Sequence, residues 1–518
     1  VDPTSTFGSI LYEAARPIAP DDPGDASGSF ADLHLEDIVA SVNAGREAYG
    51  LAPVFRTPLA DAAAIGYRHD VFRDLEDEAL LADVRAFGQQ MQTVSRQLAH
   101  AAKTTYAFDR ERWLLGAAEG FSAAVDELNG GLRRAELRSA GLRRFREYLA
   151  GYVSSDAHLA LLADTQRVKA VISEVGYRLR IHGSKVTVTR AAAEPEPDYS
   201  AEVLATFDKF RQGDRKSYDW RFDQEPDMNH VEAAILDRVA RLRPDAFAAL
   251  HGYAVEHGGF LDPTIARFDR EVQFYVAYRD YIDPLQRGTG LSFCYPEVVA
   301  GSHEVAGRRI FDLALATKLT REGRRVVPND VELTGDERIV VVSGPNQGGK
   351  TTFARAIGQL HHLARIGVPV PGERVRLPLV DRVFTHFERQ EQVEDLSSKL
   401  EDDLRRIHAI LEQGTSASLV IMNESFSSTT VRDQLFIGRR IMRQVVECGV
   451  LCVVVTFLDE LAALGPTIVS MVSTVDPDDD TRRTFQIVRR PADGLAYAQA
   501  IAHKHGLSYP SLKRRLAR

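Results

Sequence analysis

Residues Gly344-Pro345-Asn346-Gln347-Gly348-Gly349-Lys350-Thr351-Thr352 bring glycines, one ammonium group and two adjacent hydroxyls together. Such a set can hold a polyphosphate. Glycines let backbone N–H groups turn inward around phosphate oxygens. A helix starting there adds its partial positive charge. In this pattern Lys350 is expected to neutralise the β- and γ-phosphates, and the Thr351 hydroxyl to ligate Mg²⁺. The flanks agree with this reading. Ile339 to Val342 is a continuous apolar run that predicts a buried strand, and Phe353, Ile357, Leu360 and Leu363 recur at helical spacing. All nine residues, 344 to 352, form the expected nucleotide-binding set, with ATP and Mg²⁺ as cofactors.

Two downstream strands carry further candidates. Leu419 to Met422 is apolar and ends in Asn423-Glu424. An acid at a strand tip after a P-loop is the Walker B position. An aspartate there would hold Mg²⁺ through its water; this chain has Asn423, which with Thr351 makes up the expected metal site. Glu424 is expected to polarise the attacking water, so Glu424 and Lys350 are the catalytic candidates. A buried strand that merely ends in a polar pair is the plainer alternative. Leu451 to Thr456 is a second apolar strand. ABC-type ATPases usually place a histidine after it; here it is Phe457.

Leu396-Ser397-Ser398-Lys399-Leu400 opens a predicted helix through Leu404, Ile407 and Leu411. A serine pair there is an ordinary helix cap. In ABC-type ATPases the same arrangement touches the γ-phosphate held by a partner subunit, which makes Ser398 the candidate trans-acting serine. A P-loop kinase or transferase would need an acceptor-binding lid, and the sequence offers none.

These residues need elements to position them. At roughly 150 residues per domain, 518 residues suggest about three or four structural units. The 44% hydrophobic and 26% charged fractions are those of ordinary globular protein. No apolar run is long enough for a membrane span. The first thirty residues are polar, are expected to be flexible, and show no leader. A cytoplasmic location without membrane attachment is the expectation. Cys294, Cys448 and Cys452 lack metal-site spacing and are expected to be reduced, buried thiols.

Leu33 to Gly50 predicts a helix. Asp77 to about Gly176 is nearly free of proline and predicts three long helices, broken near Gly130-Gly131 and Ser154-Ser155. Two more are predicted over 230–257 and 263–283. From about residue 300 strands alternate with helices, which implies an α/β sheet. Between the halves, Leu179, Ile181, Val186 and Val188 alternate with polar residues around Gly183-Ser184, a β-hairpin signal.

The net charge of −9 argues against a surface that coats nucleic acid but leaves room for a local basic patch. Arg178, Arg180, Lys185 and Arg190 decorate the hairpin and are the candidate DNA contacts. Lys209, Arg211, Arg215 and Lys216 follow, with Tyr218 and Trp220 nearby. Arg133, Arg134, Arg138, Arg143, Arg144 and Arg146 read better as a solvated face balanced by Glu136 and Glu147. No base-reading motif is present, so any DNA binding would follow backbone or shape. His361, His362 and His386 do not form a metal set, because adjacent helix residues face apart. Asp476 to Asp480 reads as a solvated turn.

About Val326 to Leu507 resembles the ATPase domain of the MutS family of DNA mismatch-repair proteins. The marks are Pro328-Asn329-Asp330-Val331-Glu332-Leu333, Gly344 to Phe353, Ile366 to Pro371, Val383-Phe384-Thr385, Leu419 to Asp433, Thr456 with Glu460-Leu461, Gly494 to Ala498, and His505-Gly506-Leu507. Thr57-Pro58-Leu59, Ile65 and Arg68 to Leu75 resemble the start of the family's core. Phe268-Asp269 resembles its lever.

The resemblance implies a multidomain fold. Its expected parts are an N-terminal segment over 1–30, a helical core and lever over 31–299 with a shortened clamp-like region at about 177–228, and an α/β ABC-type ATPase domain over 300–518. It further implies a homodimer with head-to-tail ATPase domains, acting on DNA as an ATP-driven clamp in repair or recombination. The departures are Asn423, Phe457, Ser425 to Ser428 in place of a glycine- and arginine-containing loop, and no Phe-x-Glu wedge. They point to slow hydrolysis, without mismatch reading by a wedge. A nucleotide-binding switch or scaffold with negligible hydrolysis is the alternative.

Overall fold

The computed structural model describes residues 7–13, 28–183, 185–191, 228–388, 399–426, 429–476 and 479–492. They fall into two compact units. One contains Glu78–Ala135 and Arg144–Asp269; the other contains Phe7–Asp77, Glu136–Arg143 and the chain from Arg270 onward.

The first unit is helical. Leu80, Leu81, Val84, Phe87, Met91 and Val94 recur at three and four along Glu78–Lys103 and are buried. They pack against Ala107–Arg134, which buries Phe121, Ala124, Val125 and Leu128. The expected break at Gly130-Gly131 does not occur. The helix continues to Arg134, and Gly131 marks a close approach instead: a Cβ there would fall 2.3 Å from Asp83 Oδ2. The chain breaks earlier, at Thr104, whose N–H and hydroxyl both donate to the His100 carbonyl at 3.0 Å. There are therefore four helices between 77 and 176, not three: these two, Ala140–Val153 and Asp156–Ser173. The break at Ser154-Ser155 is where it was expected, with Ser155 Oγ accepting from the His158 N–H.

Similarly, the single helix expected over 230–257 is two, His230–Leu242 and Pro244–His257. Proline has no N–H to continue the first and is suited to start the second. The helix expected over 263–283 runs on through Pro284 to Thr289. Leu33 to Gly50 holds only Leu35–Asn43 and a short turn, Glu47–Tyr49. The hairpin forms from Tyr177–His182 and Lys185–Arg190, antiparallel, with Leu179 opposite Val188 and Ile181 opposite Val186.

The second unit contains a six-stranded sheet. Its order is Val383–Phe387, Leu419–Asn423, Leu451–Val455, Ile339–Ser343, Ile468–Asp476 and Asp479–Arg489. The first five run parallel, and the last is antiparallel to its neighbour. Parallel strands covered on both faces need continuous apolar runs, as in Val340-Val341-Val342 and Cys452-Val453-Val454. One face packs Ile339, Val341, Val420, Met422 and Val454 against Ile407, Met442 and Val445. Helix Lys350–Arg365 also packs on the sheet and buries Phe353, Ile357, Leu360 and Leu363. Each large apolar side chain removed from water in this way stabilises by about 1.5–3 kcal/mol.

A four-stranded sheet of Glu297–Val299, Arg374–Pro378, Val305–Ile310 and Asn329–Leu333 completes the unit, with a two-stranded ladder of Phe293–Cys294 and Val370–Pro371. The three cysteines are free, but only Cys452 is buried; Cys448 is exposed and Cys294 half-buried. Among the described residues no helix is long and apolar enough to cross a membrane.

Candidate functional site

Sheet register brings the candidates together. Phe387, Asn423 and Val455 pair across three neighbouring strands, and Val455 pairs with Val342 on the fourth. The chain therefore leaves Ser343, Asn423 and Val455 at one carboxyl edge, where open parallel sheets bind their ligands. Gly344 has φ 114° and Gly349 φ 91°, left-handed conformations that suit glycine. Gly348 is needed for space: a Cβ would lie 2.2 Å from Ser473 Oγ and 3.0 Å from the Pro345 carbonyl. Gly349 precedes helix Lys350–Arg365 without any side-chain cap, which leaves its first N–H groups available to an anion.

Lys350 turns back onto its own loop. Its Nζ donates to the Gly344 carbonyl at 2.9 Å and the Pro345 carbonyl at 3.2 Å. It also lies 4.1 Å from the centre of the Phe457 ring. Lys350 as a whole is 4% exposed. Burial lowers its pKa to about 8, an effect opposed by the negative charges of Glu424 and Asp459 and reinforced by Arg483.

Thr351 Oγ1 donates to Asn423 Oδ1 at 2.8 Å. Two hard oxygen donors thus lie side by side, in keeping with a Mg²⁺ site, although an amide brings no charge to it. Glu424 follows with φ 51°, its N–H donating to the Val455 carbonyl at 2.9 Å. Burial raises its carboxyl pKa against the pull of Lys350. A partly desolvated carboxylate beside a buried ammonium is the kind of pair that can orient and deprotonate water.

The last two strands of the sheet contribute residues that sequence reasoning missed. Ser473 Oγ donates to the Gly348 carbonyl at 2.7 Å, and Arg483 Nε donates to the Asn346 carbonyl at 3.1 Å. Phe485, with φ 59°, packs near Gly349. Asn329 holds this edge in place: its Nδ2 donates to the Phe485 carbonyl and its Oδ1 accepts from the Ile487 N–H. These contacts span more than a hundred residues, and no local pattern announces them. Asn329 alone belongs to a stretch that carries the family resemblance, Pro328 to Leu333. Beside the loop opens a cavity of about 430 Å³, lined by Phe311, Leu315, Val327, Asn329, Lys350 and Phe485 among others. Its lining is mixed, apolar at Phe311, Leu315, Val327 and Phe485 and charged at Asp312, Lys318, Glu322 and Arg324, and it has room for a planar base.

Ser398 lies outside the described residues, as do Lys209 to Trp220, Gly494 to Ala498 and His505 to Leu507. On the hairpin, the register puts Arg178, Arg180 and Lys185 on one face. Arg190 falls on the other and donates to the Leu242 carbonyl at 2.7 Å through Nη2. That second face carries Tyr177, Leu179 and Ile181, the last 71% exposed. The three histidines set aside as metal ligands are held separately: His361 by the Ile357 carbonyl, His362 by the Phe55 carbonyl and His386 by Ser425.

Residues 340–505 match the family described as MutS domain V. Among curated proteins, the DNA mismatch repair protein MutS of Thermotoga maritima is 24% identical over 67% of this chain and 38% of its own length. Endonuclease MutS2 of Gemmatimonas aurantiaca is 33% identical over 52% of this chain and 31% of its own. The DNA mismatch repair protein MutS of Chlorobium phaeovibrioides is 24% identical over 88% of this chain and 55% of its own. The chain thus spans from about a third to about half the length of these relatives.

Proposed function

Since the chain belongs to the MutS family, we propose that it binds ATP at residues 344–352 and hydrolyses it to ADP and phosphate. The observation that carries this reading is the convergence of the glycine loop, Lys350, Thr351, Asn423 and Glu424 at one sheet edge beside a base-sized cavity. Loop N–H groups and Lys350 hold the phosphates, Lys350 leaving its loop carbonyls to do so. Thr351 and Asn423 hold Mg²⁺, which would neutralise charge developing on the phosphate oxygens. Glu424 orients and takes a proton from water. Hydrolysis is slow, because Asn423 supplies no charge to the metal.

In this reading two copies pair through their ATPase domains with the Ser398 region of each facing the partner's loop, and nucleotide state alters a clamp on DNA. Relatives whose names refer to DNA mismatch repair support the nucleic-acid part. Arg178, Arg180 and Lys185 on one hairpin face are the proposed phosphate contacts; Arg190 is already engaged by the Leu242 carbonyl. The protein acts in the cytoplasm. A second reading, a nucleotide switch with negligible turnover, is favoured by Asn423 and by the ring of Phe457 on Lys350.

ATP binding and turnover of the native chain, Lys350→Ala and Glu424→Ala test the assignment. The first variant should lose binding; the second should keep binding and lose turnover. Equal rates in all three would remove the catalytic roles. Binding to duplex, branched and mismatched DNA, with and without ATP across a salt series, tests the partner.

A further inference from the structure

His386 occupies a position that the chemistry above does not use. It is fully buried on strand Val383–Phe387, next to the strand that ends in Asn423. Its Nδ1 lies 3.0 Å from Ser425 Oγ. Its Nε2 lies 3.2 Å from Asp403 Oδ1, on helix Lys399–Gln413, at ion-pair distance but out of line for a hydrogen bond. The Phe426 ring lies over the imidazole, with centroids 6.3 Å apart and planes 25° from parallel. One side chain therefore contacts both residues that follow Glu424, and a helix from another part of the chain.

Those two residues belong to an unusual turn. Glu424 has φ 51° and Phe426 φ 65°, conformations that non-glycine residues seldom adopt and that persist only where the surroundings impose them. Three contacts bear on them here: the Glu424 N–H on the Val455 carbonyl, the Ser425 hydroxyl on His386, and the burial of Phe426 in the apolar cluster of Ile407, Met422 and Met442, beside the His386 ring. His386 takes part in two of the three.

We propose that His386 is a positioning residue for Glu424: through Ser425 and Phe426 it fixes the turn that aims the carboxylate, and Asp403 ties that turn to helix Lys399–Gln413. The inference rests on the ATPase reading above. It predicts a loss in the chemical step with no loss in nucleotide grip, because the phosphate-holding residues lie on a different loop.

The test is ATP affinity and steady-state turnover of the full chain and of Ser425→Ala, Ser425→Thr, His386→Gln and Asp403→Asn, with thermal unfolding of each. Ser425→Ala should lower kcat about ten- to a hundred-fold, as small misplacements of catalytic groups do, while ATP affinity stays within about twofold. Ser425→Thr, which keeps the hydroxyl, should recover most of the rate. Should His386→Gln fail to fold, the serine pair still decides. A Ser425→Ala chain with normal kcat, even if less stable, would show a purely structural role and overturn the inference. So would a rate loss not recovered by Ser425→Thr. A native chain that binds ATP but does not turn it over overturns this inference and leaves nucleotide binding standing; a native chain that binds no ATP overturns the reading beneath both.

Discussion

The Lys350 ammonium lies 4.1 Å from the centre of the Phe457 ring while donating to two carbonyls of its own loop. Two of its three hydrogen-bonding directions are taken within the protein and the ring faces the charge, so a triphosphate must compete for it. Phe457 is 51% exposed, and a cation–π contact at such a site contributes about 0.5–1 kcal/mol. Replacing Phe457 with alanine removes that competitor. ATP affinity should rise about two- to five-fold, measured by calorimetric titration; unchanged affinity would show that the ring does not restrain the lysine.

Lys350 itself should matter more. Hydrogen bonds to charged groups contribute about 1.5–3 kcal/mol each. Lys350→Met is therefore expected to weaken ATP binding by about ten- to a hundred-fold or more, with the fold retained by circular dichroism. Retained affinity would place the phosphates elsewhere.

The depressed lysine has a pH signature. Its pKa in the folded chain is about 8 against an ordinary 10.5. Between those values the unfolded chain holds a proton that the folded chain has released. This group's contribution to the stability of the nucleotide-free protein therefore rises as pH climbs from about 8 to 10.5, and is lost as pH falls back through 8. Phosphate binding needs the charged form, so nucleotide should take up close to one proton at about pH 9. Titration in two buffers of different ionisation enthalpy reads this directly. Lys350→Arg, which stays protonated, should show no uptake.

Asn423 sets the metal's share. Asn423→Asp puts a charge beside Thr351 Oγ1 in place of the amide that now accepts its hydrogen bond. The Mg²⁺ concentration for half-maximal turnover should fall several-fold, and kcat should rise. An unchanged Mg²⁺ dependence would move Asn423 away from the metal.

Gly348 tests the fit of the loop against strand Ile468–Asp476. Gly348→Ala drives a Cβ into Ser473 Oγ and the Pro345 carbonyl. Such overpacking costs about 1–3 kcal/mol, and nucleotide binding should fall with it. Ser473→Gly should restore part of the stability but not all, because the Pro345 carbonyl remains in the way. A Gly348→Ala chain as stable as the native one, by denaturant unfolding, would contradict the geometry.

Local signals were reliable where chemistry and chain direction coincide. The apolar run before Gly344, the helical spacing after Lys350 and the period-two alternation at 179–188 each describe a short stretch whose structure depends on its own residues. Helix ends were less legible. Gly130-Gly131 looks like a breaker in sequence, yet in the fold Gly131 makes room for Asp83. Thr104 looks unremarkable, yet it closes a turn on His100.

By itself, then, the sequence determined the glycine turn, the lysine and hydroxyl that follow it, and the strand tip bearing Asn423 and Glu424, because backbone freedom, charge and apolar periodicity act over a few residues. Only the tertiary structure decided that Lys350 folds back under Phe457, that Ser473, Arg483 and Phe485 close over the loop, and that His386 stands behind Glu424. Those contacts arise from the order and register of the sheet's strands, parallel and antiparallel alike. Each strand edge is a backbone ladder with no side-chain code for its neighbour, so a distant residue meets the site only once the whole sheet has been assembled.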